Sequence, residues 1–498
     1  MLPQRGTIAR EIRISLQRPP PRMVGMSTVD KAAPEGAENV KSAKPTSQDI
    51  LGRRFSIAGQ LRFAFPRMLM SLFIMSYAVA DGALISRYLG ADALAALNLA
   101  WPLQGVVSAF GIMLSAGGGS VLARRLGKNA HAAAESALST VFLGELLLGA
   151  VLGLLALLVL EPILTFLGIG PKEMALAIDY QQTALIGTPL LFVSLASQTL
   201  FTATGFPKIG LAASIASGLT NVVLDILFMG PLQMGMRGAA LATVISWAVA
   251  MAAAILFFAR KGAPVQLHFP VLELKAFKHA VTSGTAEMVS YLSHSVTLFL
   301  FNSALLAHLG LNGVAALTIA GYSTYVFNSV FYGFCEASAP IVGFKYGARD
   351  WPELARVFKN SLLIMAGFGV VAYTSAVLFA EPVLAFFVDR DTAVFTLVRE
   401  NFSIYALSLL LLCPNMFTAY FFTAFGDGKR AGILSFCRTF LFLVLAIEIL
   451  PEVLGDLGLW LAVPTAELLA FCVCVVFILK NRRRYGYDGK AALRINEA

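Results

Sequence analysis

The sequence predicts an all-α integral membrane protein: twelve transmembrane helices in two pseudo-symmetric, parallel six-helix lobes. Three observations point there: an apolar composition, an alternation of basic residues, and an internal repeat. The 498 residues are 57% apolar and 13% charged, with mean hydropathy +0.74. A soluble domain carries about 45–50% apolar and about 25% charged residues, so soluble globular and disordered chains are excluded. A spanning helix needs roughly 20 apolar residues, and twelve such runs recur from Leu61 to Leu479. The longest polar gap between runs, Arg260 to Lys275, leaves no room for a soluble domain. No G-x-x-x-x-G-K-[ST] loop occurs, which excludes a fused nucleotide-hydrolysing domain.

The basic residues fall in alternate connections rather than in one patch, which argues against a nucleic-acid partner despite the net charge of +9. With the N-terminus inside, 33 Lys and Arg lie on the inner side. Five lie outside: Arg87, Lys172, Arg237, Arg390 and Arg399. This is the positive-inside pattern. It places both termini in the cytoplasm of a multi-pass protein of the cell membrane, and one missed span would scramble it. No span is expected to carry a basic residue at mid-membrane.

The organisation follows. Residues 1–50 form a polar cytoplasmic tail without the apolar core of a secretory signal. They are read as a disordered tail or as an extension upstream of a start near Met23 or Met26, with an organelle-targeting peptide as the sharper alternative. Residues 51–260 form the N-lobe (spans 1–6), 261–275 the inner linker, 276–480 the C-lobe (spans 7–12) and 481–498 a second tail. All five cysteines fall in or beside apolar runs, so no extracellular disulfide framework is expected. The five histidines are scattered, and no two stand at metal-ligand spacing.

The repeat has an offset of 220 residues. Leu89-Gly90 matches Leu309-Gly310, Gly127 matches Gly347, and Glu161-Pro162 matches Glu381-Pro382. Gly235 and Gly238 match Gly455 and Gly458. Six spans per repeat give both halves the same orientation, so their pseudo-twofold axis runs along the membrane normal. Parallel lobes about a central cleft are an alternating-access transporter plan.

A carboxylate within a span is costly and marks function by default. Asp81 lies one helical turn after Tyr77, and Asp225 one turn after Asn221; Thr243, Tyr180 and Gln198 add polar groups in the same lobe. At the offset of 220, Asp81 maps to Phe301, Asn221 to Leu441, Asp225 to Leu445 and Thr243 to Val463. A structural network would be expected in both copies; a cluster in one copy reads as a proton or cation site. Glu145 reads as structural, turned to a neighbouring helix. Glu287 and Glu336, with Asn302, are candidates for a substrate cleft. Glu448 and Glu467 read as interfacial. Pro66 marks a bend in span 1, fifteen residues before Asp81. Gly426-Asp427-Gly428-Lys429-Arg430-Ala431 fits a dinucleotide pattern but joins two spans, so it reads as a loop; Gly117-Gly118-Gly119 reads as close helix packing.

Taken in order, these segments resemble the MATE family, the multidrug and toxic compound extrusion transporters. The resemblance covers roughly residues 55–480. It rests on Pro66, Asp81 and Ile85–Pro102, then Ala203–Lys208 (ATGFPK), Asn221–Asp225 (NVVLD), Gly235–Thr243 (GMRGAALAT) and Ala339–Ala348 (APIVGFKYGA). It implies a coupling-ion site at Asp81, Asn221, Asp225 and Thr243 with Tyr77 and Tyr180 nearby, and Gln198 where one branch has Asn. The branch with an acidic C-lobe pair places a Glu where this chain has Ser293-His294, so the pattern is nearer the DinF-like or MepA-like branches.

The functional expectation is an exporter that antiports H⁺ or Na⁺ against lipophilic, often cationic organic compounds. No cofactor, enzyme activity, metal site beyond Na⁺, or obligate protein partner is expected; its partners are the small substrates and the lipid bilayer. A lipid-linked precursor flippase is the alternative, set back by the lack of mid-membrane basic residues. A membrane channel is the second alternative, and it would not need a one-sided acidic cluster.

Overall fold

The computed structural model describes residues 46–268 and 271–490. The twelve spans follow one another. In the first half they are Ile57–Leu89 (span 1), Ala91–Gly127 (2), His131–Leu158 (3), the pair Glu173–Ile186 and Thr188–Ala203 (4), Pro207–Met229 (5) and Gly235–Ala259 (6). In the second half they are residues 274–309 (7), Asn312–Gly347 (8), Trp351–Leu378 (9), the pair Ala393–Ala406 and Ser408–Ala424 (10), Gly428–Leu454 (11) and Asp456–Tyr485 (12). Spans 7 and 8 run on through a sharp break at Gly310, where φ is 64° and ψ −161°.

The repeat is visible in the backbone. An offset of 220 carries both bounds of span 3 onto those of span 9, and the first arm of span 4 onto that of span 10. Spans 4 and 10 bend at matching places, by 60° and 43°. The turns agree as well. Gly90 and Gly310 both take positive φ, as do Gly235 and Gly455, and so do Asn129 and Arg349 at 57° each. That conformation costs a side-chain-bearing residue energy, so its recurrence at Asn129 and Arg349 shows that the duplicated turn imposes it.

The two ends of the bundle differ. One end, here the base, holds the 3–2, 5–4, 9–8 and 11–10 turns, the inter-lobe linker and the first and last described residues. At the base the halves meet backbone to backbone. A Cβ at Gly127 would collide with the Phe344 carbonyl, and one at Gly347 with the Arg124 carbonyl. Arg124 and Phe344 are themselves repeat equivalents, so the pseudo-twofold axis passes between spans 2 and 8 here. Gly117 meets Ala280, and Gly284 meets Met113, where spans 2 and 7 cross; Gly333 meets Met68 where spans 1 and 8 cross. Met113 and Gly333 each lie fourteen residues from the base end of their helix, about 21 Å at 1.5 Å per residue. The close backbone approaches between halves lie at or below that level. Gly117, Gly118 and Gly119 are packing residues, set against Ala280, Val141 and Thr199 respectively.

The described order is wider than the lobe boundaries expected from sequence. A short helix, Ser47–Leu51, precedes span 1 and straps both halves. Gln48 donates to the Leu126 carbonyl and Asn129 in the first half. In the second, Lys345 donates to the Gly52 carbonyl (2.8 Å), and the Phe55 amide donates to Glu353 (2.6 Å). At the other terminus, span 12 runs to Tyr485 instead of ending near 480, because Tyr485 stacks on Phe425 at 4.5 Å and Tyr487 packs on Phe358 and Phe421. Residues 1–45, most of the expected N-terminal tail, and 491–498 lie outside the described residues. The Gly426–Ala431 stretch is a turn in which Asp427 caps the start of span 11.

Candidate functional site

In the first half, span 5 places Asn221 and Asp225 one turn apart on its buried face, 1% and 0% exposed. Span 1 brings Asp81 to them, and the two carboxyl groups face each other. Tyr77 lies beside Asp81, its ring against Gly218 of span 5. Asn221 donates to Thr243 Oγ1 at 3.3 Å, and Tyr180 lies against Thr243 from the other side. Both carboxylate oxygens of Asp225, Oδ1 of Asp81 and Oδ1 of Asn221 are buried without a hydrogen-bond partner among the described residues. Buried polar atoms are nearly always paired, and here four unpaired oxygens, three of them on carboxyl groups, lie in one place. Gln198 is not part of this set. It lies five residues from the base end of span 4, Asn221 fourteen from that of span 5, and no described hydrogen bond joins its side chain to theirs.

At the equivalent positions the second half has Phe301, Leu441, Leu445 and Val463, and its buried polar network lies elsewhere. Span 11 takes a π-helical turn at Cys437–Leu441, and its Arg438 reaches Glu467 of span 12 at 3.2 Å. Asn415 of span 10 donates to the same carboxylate at 2.7 Å and to the Glu467 carbonyl. At an offset of 221 the first half has Ser194, Ser217 and Ser246, with Ser217 donating to the Ser246 carbonyl at 2.6 Å. Small hydroxyls in one half are replaced by a neutralised ion pair in the other. Glu467 is thus 5% exposed and paired, rather than interfacial. Its partner Arg438 sits within a span, which the charge-alternation reading had assigned to the inner flank. Glu448 is exposed.

Arg67 is another basic residue buried within a span. It is the eleventh residue of span 1 and 5% exposed, and it pairs with Glu336 of span 8 at 2.8 and 2.9 Å. A charge at this depth is tolerated because its counter-charge arrives from the other half; an unpaired Arg at a helix centre costs about 2.5–3.5 kcal/mol to insert. Glu336, expected to meet a cationic substrate, is therefore already occupied. Glu287 occupies the position equivalent to Arg67. It is 6% exposed, lies against the Tyr420 hydroxyl, and lines a small cavity with Ser290, Tyr332, Ser435 and Arg438. Asn302 lies outside the residues whose side chains are described. Glu145 is fully buried and accepts from Ser115 of span 2 at 2.8 Å. Pro66 lies inside one unbroken helix, Ile57–Leu89.

Sequence reasoning missed one further feature. Tyr322, Tyr325, Ser329, Tyr332 and Glu336 follow one another at spacings of three and four, and so share one face of span 8. The three tyrosines are 59%, 49% and 40% exposed. The stripe descends from the end opposite the base to the Arg67–Glu336 pair. Its i, i+3, i+7 spacing was legible, but aromatic residues in an apolar run read as lipid-facing filler.

Comparison with known proteins agrees with this architecture. The chain is 25% identical over 430 residues to a protein named FAD transporter of Shewanella oneidensis, covering 83% of this chain and 92% of that one. It is 22% identical over 444 residues to the multidrug export protein MepA of Staphylococcus saprophyticus, covering 85% and 94%. Its fold matches a crystal structure of a MATE protein in the bent conformation with a TM-score of 0.82 at 23% identity, over 89% of this chain and 99% of that one. The MatE family model matches residues 66–227 and 288–447, one segment in each half. With its duplicated six-span lobes and MepA-like relatives, the chain belongs to the MatE family of membrane transporters.

Proposed function

We propose that this chain is a secondary active exporter that exchanges H⁺ or Na⁺ for small organic compounds by alternating access, with Asp81 and Asp225 as the ion-binding acids. The observation that carries the reading is the cluster of buried, unpartnered oxygens at Asp81, Asn221 and Asp225, present in one half of a duplicated scaffold whose other half has Phe301, Leu441 and Leu445 at the equivalent positions. Tyr77, Tyr180 and Thr243 complete its walls. Binding a cation relieves like-charge repulsion between the two acids and favours repacking of span 1 against span 5. One elementary charge moving down the membrane potential releases about 2.3 kcal/mol per 100 mV. A tenfold substrate gradient costs about 1.4 kcal/mol, so one ion per cycle suffices. Exchange rather than leak requires that ion and substrate bind the two states differently.

The basic residues concentrate at the base, so we take the base as cytoplasmic, both termini as internal and the cell membrane as the location. The base-closed arrangement is then the outward-facing state. Cysteines introduced at Lys275 and Asp391 of a cysteine-free variant test this: an impermeant maleimide on intact cells should label Asp391→Cys and spare Lys275→Cys, and the reverse overturns the orientation. The flippase alternative regains some ground, because Arg67 and Arg438 each lie eleven residues into a span. Arg67 reaches the interface between the halves, however, whereas Arg438 pairs within its own lobe. The function is tested in proteoliposomes with imposed pH or Na⁺ gradients: gradient-driven movement of an organic dye supports it, and movement indifferent to both gradients overturns it.

A further inference from the structure

The Arg67–Glu336 pair is made between halves, since Arg67 belongs to span 1 and Glu336 to span 8. It borders a cavity lined by Ser120, Thr199 and Thr202 of the first half and by Tyr420 and Thr423 of the second. Any state open at the base separates spans 1 and 8 at Met68 and Gly333, and it divides the pair. The two charges then face different fates. A carboxyl group can take up a proton and become neutral, and Glu336 keeps 30% of its side chain exposed even in the closed state. A guanidinium cannot shed its proton within a protein. Arg67 stays with the first half, where its side chain's only other described contact is the Met70 sulfur at 3.8 Å. The cavity groups on that half are hydroxyls, with no carboxylate among them. The base-open state therefore presents a guanidinium that keeps its charge after losing its carboxylate and is available to an anion from elsewhere.

We propose that Arg67 is the receptor, in the base-open state, for an oxyanion on the transported molecule, a carboxylate or phosphate attached to an aromatic ring system. Glu336 is the internal occupant of the same guanidinium when the base is closed. Ser120 donates to the Thr423 carbonyl at 2.7 Å across the halves, so parting the halves at the base frees this hydroxyl beside Arg67, with Thr199 next to it in the cavity wall. The tyrosine stripe of span 8 ends at Glu336 and offers ring faces to a planar scaffold along the path away from the base. Closure returns Glu336 to Arg67 and displaces the oxyanion, so the ion pair ejects substrate toward the opposite end. The inference deepens the transporter reading in one respect, the substrate class: it changes the expected preference from cations to ring-bearing anions.

The test is equilibrium binding to purified full-length protein without any gradient, so that its outcome is independent of which ion drives transport. Riboflavin and its 5′-phosphate, FMN, share one ring system and differ only in the phosphate; rhodamine 6G supplies a planar cation. FMN is expected to bind more tightly than riboflavin by about tenfold or more, as a charge-assisted hydrogen bond allows. Glu336→Gln removes the internal competitor and should tighten FMN binding. The double variant Arg67→Gln/Glu336→Gln keeps a neutral hydrogen-bonding pair, so it leaves no stranded charge to disrupt folding, and it should collapse the FMN-to-riboflavin ratio toward one. A wild type that binds riboflavin or rhodamine 6G as well as FMN, a ratio unchanged in the double variant, or weaker FMN binding in Glu336→Gln each overturns the proposal. Loss of gradient coupling with the FMN preference intact would instead count against the Asp81–Asp225 reading alone.

Discussion

The two halves share helix bounds, bends and even a strained turn, yet they bury their polar groups at different places. The first half leaves carboxyl and amide oxygens buried and unpaired around Asp81 and Asp225. The second has Phe301, Leu441, Leu445 and Val463 at the equivalent positions and buries an ion pair elsewhere, Arg438 with Glu467 and Asn415, where the first half has Ser217, Ser246 and Ser194. The charges of Arg438 and Glu467 offset each other, although Arg438 Nε and Asn415 Oδ1 stay unpaired, whereas no basic side chain is paired with Asp81 or Asp225 among the described residues. The proposed assignment of ion binding to the first half rests on that difference.

The strongest way to break that comparison is to remove a charge from the second half. Arg438→Ala strands Glu467 in the bundle and should destabilise the protein by about 3–5 kcal/mol, whereas Arg438→Met/Glu467→Leu removes both charges and should cost far less. Thermal unfolding in detergent of the two variants measures the contrast; equal losses would mean that the pair does more than neutralise itself.

Symmetry at the base gives the next effect. Gly127→Leu and Gly347→Leu would each drive a side chain into the opposite carbonyl, Phe344 or Arg124. Both should prevent base closure and raise base-side cysteine accessibility to a similar degree, because the two sites are related by the pseudo-twofold axis. Divergent results would show that the halves part asymmetrically.

Pro66→Ala bears on the first half alone. Pro66 removes one helical hydrogen bond from span 1 and crowds the preceding turn, and Gly82 weakens the helix again beyond Asp81. Restoring the bond should lower transport several-fold while substrate binding persists. A spin-label distance from Ala83 to Leu305 at acid and alkaline pH reports the motion: it should shift with pH in the native chain and stop shifting in Pro66→Ala.

The smallest effect concerns the linker between the halves. Glu273, outside the spans, accepts from Arg125 at 2.6 and 2.7 Å and from Ser136 at 2.8 Å. The Arg125 guanidinium, chiefly, holds its carboxyl below the usual value of 4.5. The clamp's contribution is present above that ordinary value and is lost as pH falls through the lowered one. Glu273→Gln should therefore reduce stability slightly at pH 7 and make no difference at strongly acid pH, as read by unfolding midpoints across pH.

Much of this was legible in sequence because bilayer physics is strict. Apolar runs and alternating basic connections gave the span count, and one constant offset exposed the duplication. The acids stood out because a carboxylate inside an apolar run has few innocent explanations. Arg67 and Arg438 escaped notice for the converse reason: an Arg ten residues into a run that begins at the base is counted as a flanking charge until the helix bounds are seen. Their partners, Glu336 and Glu467, come from other helices, a relation that spacing along one chain does not carry. Gln198, grouped with the acids by lobe, is set nearer the base, a level that position along one chain does not convey. The strap at Ser47–Leu51 has five residues, too short to register as periodicity, and it is held by contacts to Leu126, Lys345 and Glu353.

The central claim, that ion coupling resides in the first half, is tested most directly by comparing Asp225→Asn with Glu287→Gln in proteoliposomes, with one transported dye and two assays. Asp225→Asn is expected to retain dye-for-dye exchange across the membrane while losing accumulation driven by a pH or Na⁺ gradient, and Glu287→Gln to retain both. Gradient-driven accumulation that survives in Asp225→Asn and disappears in Glu287→Gln would place coupling in the other half and contradict the account.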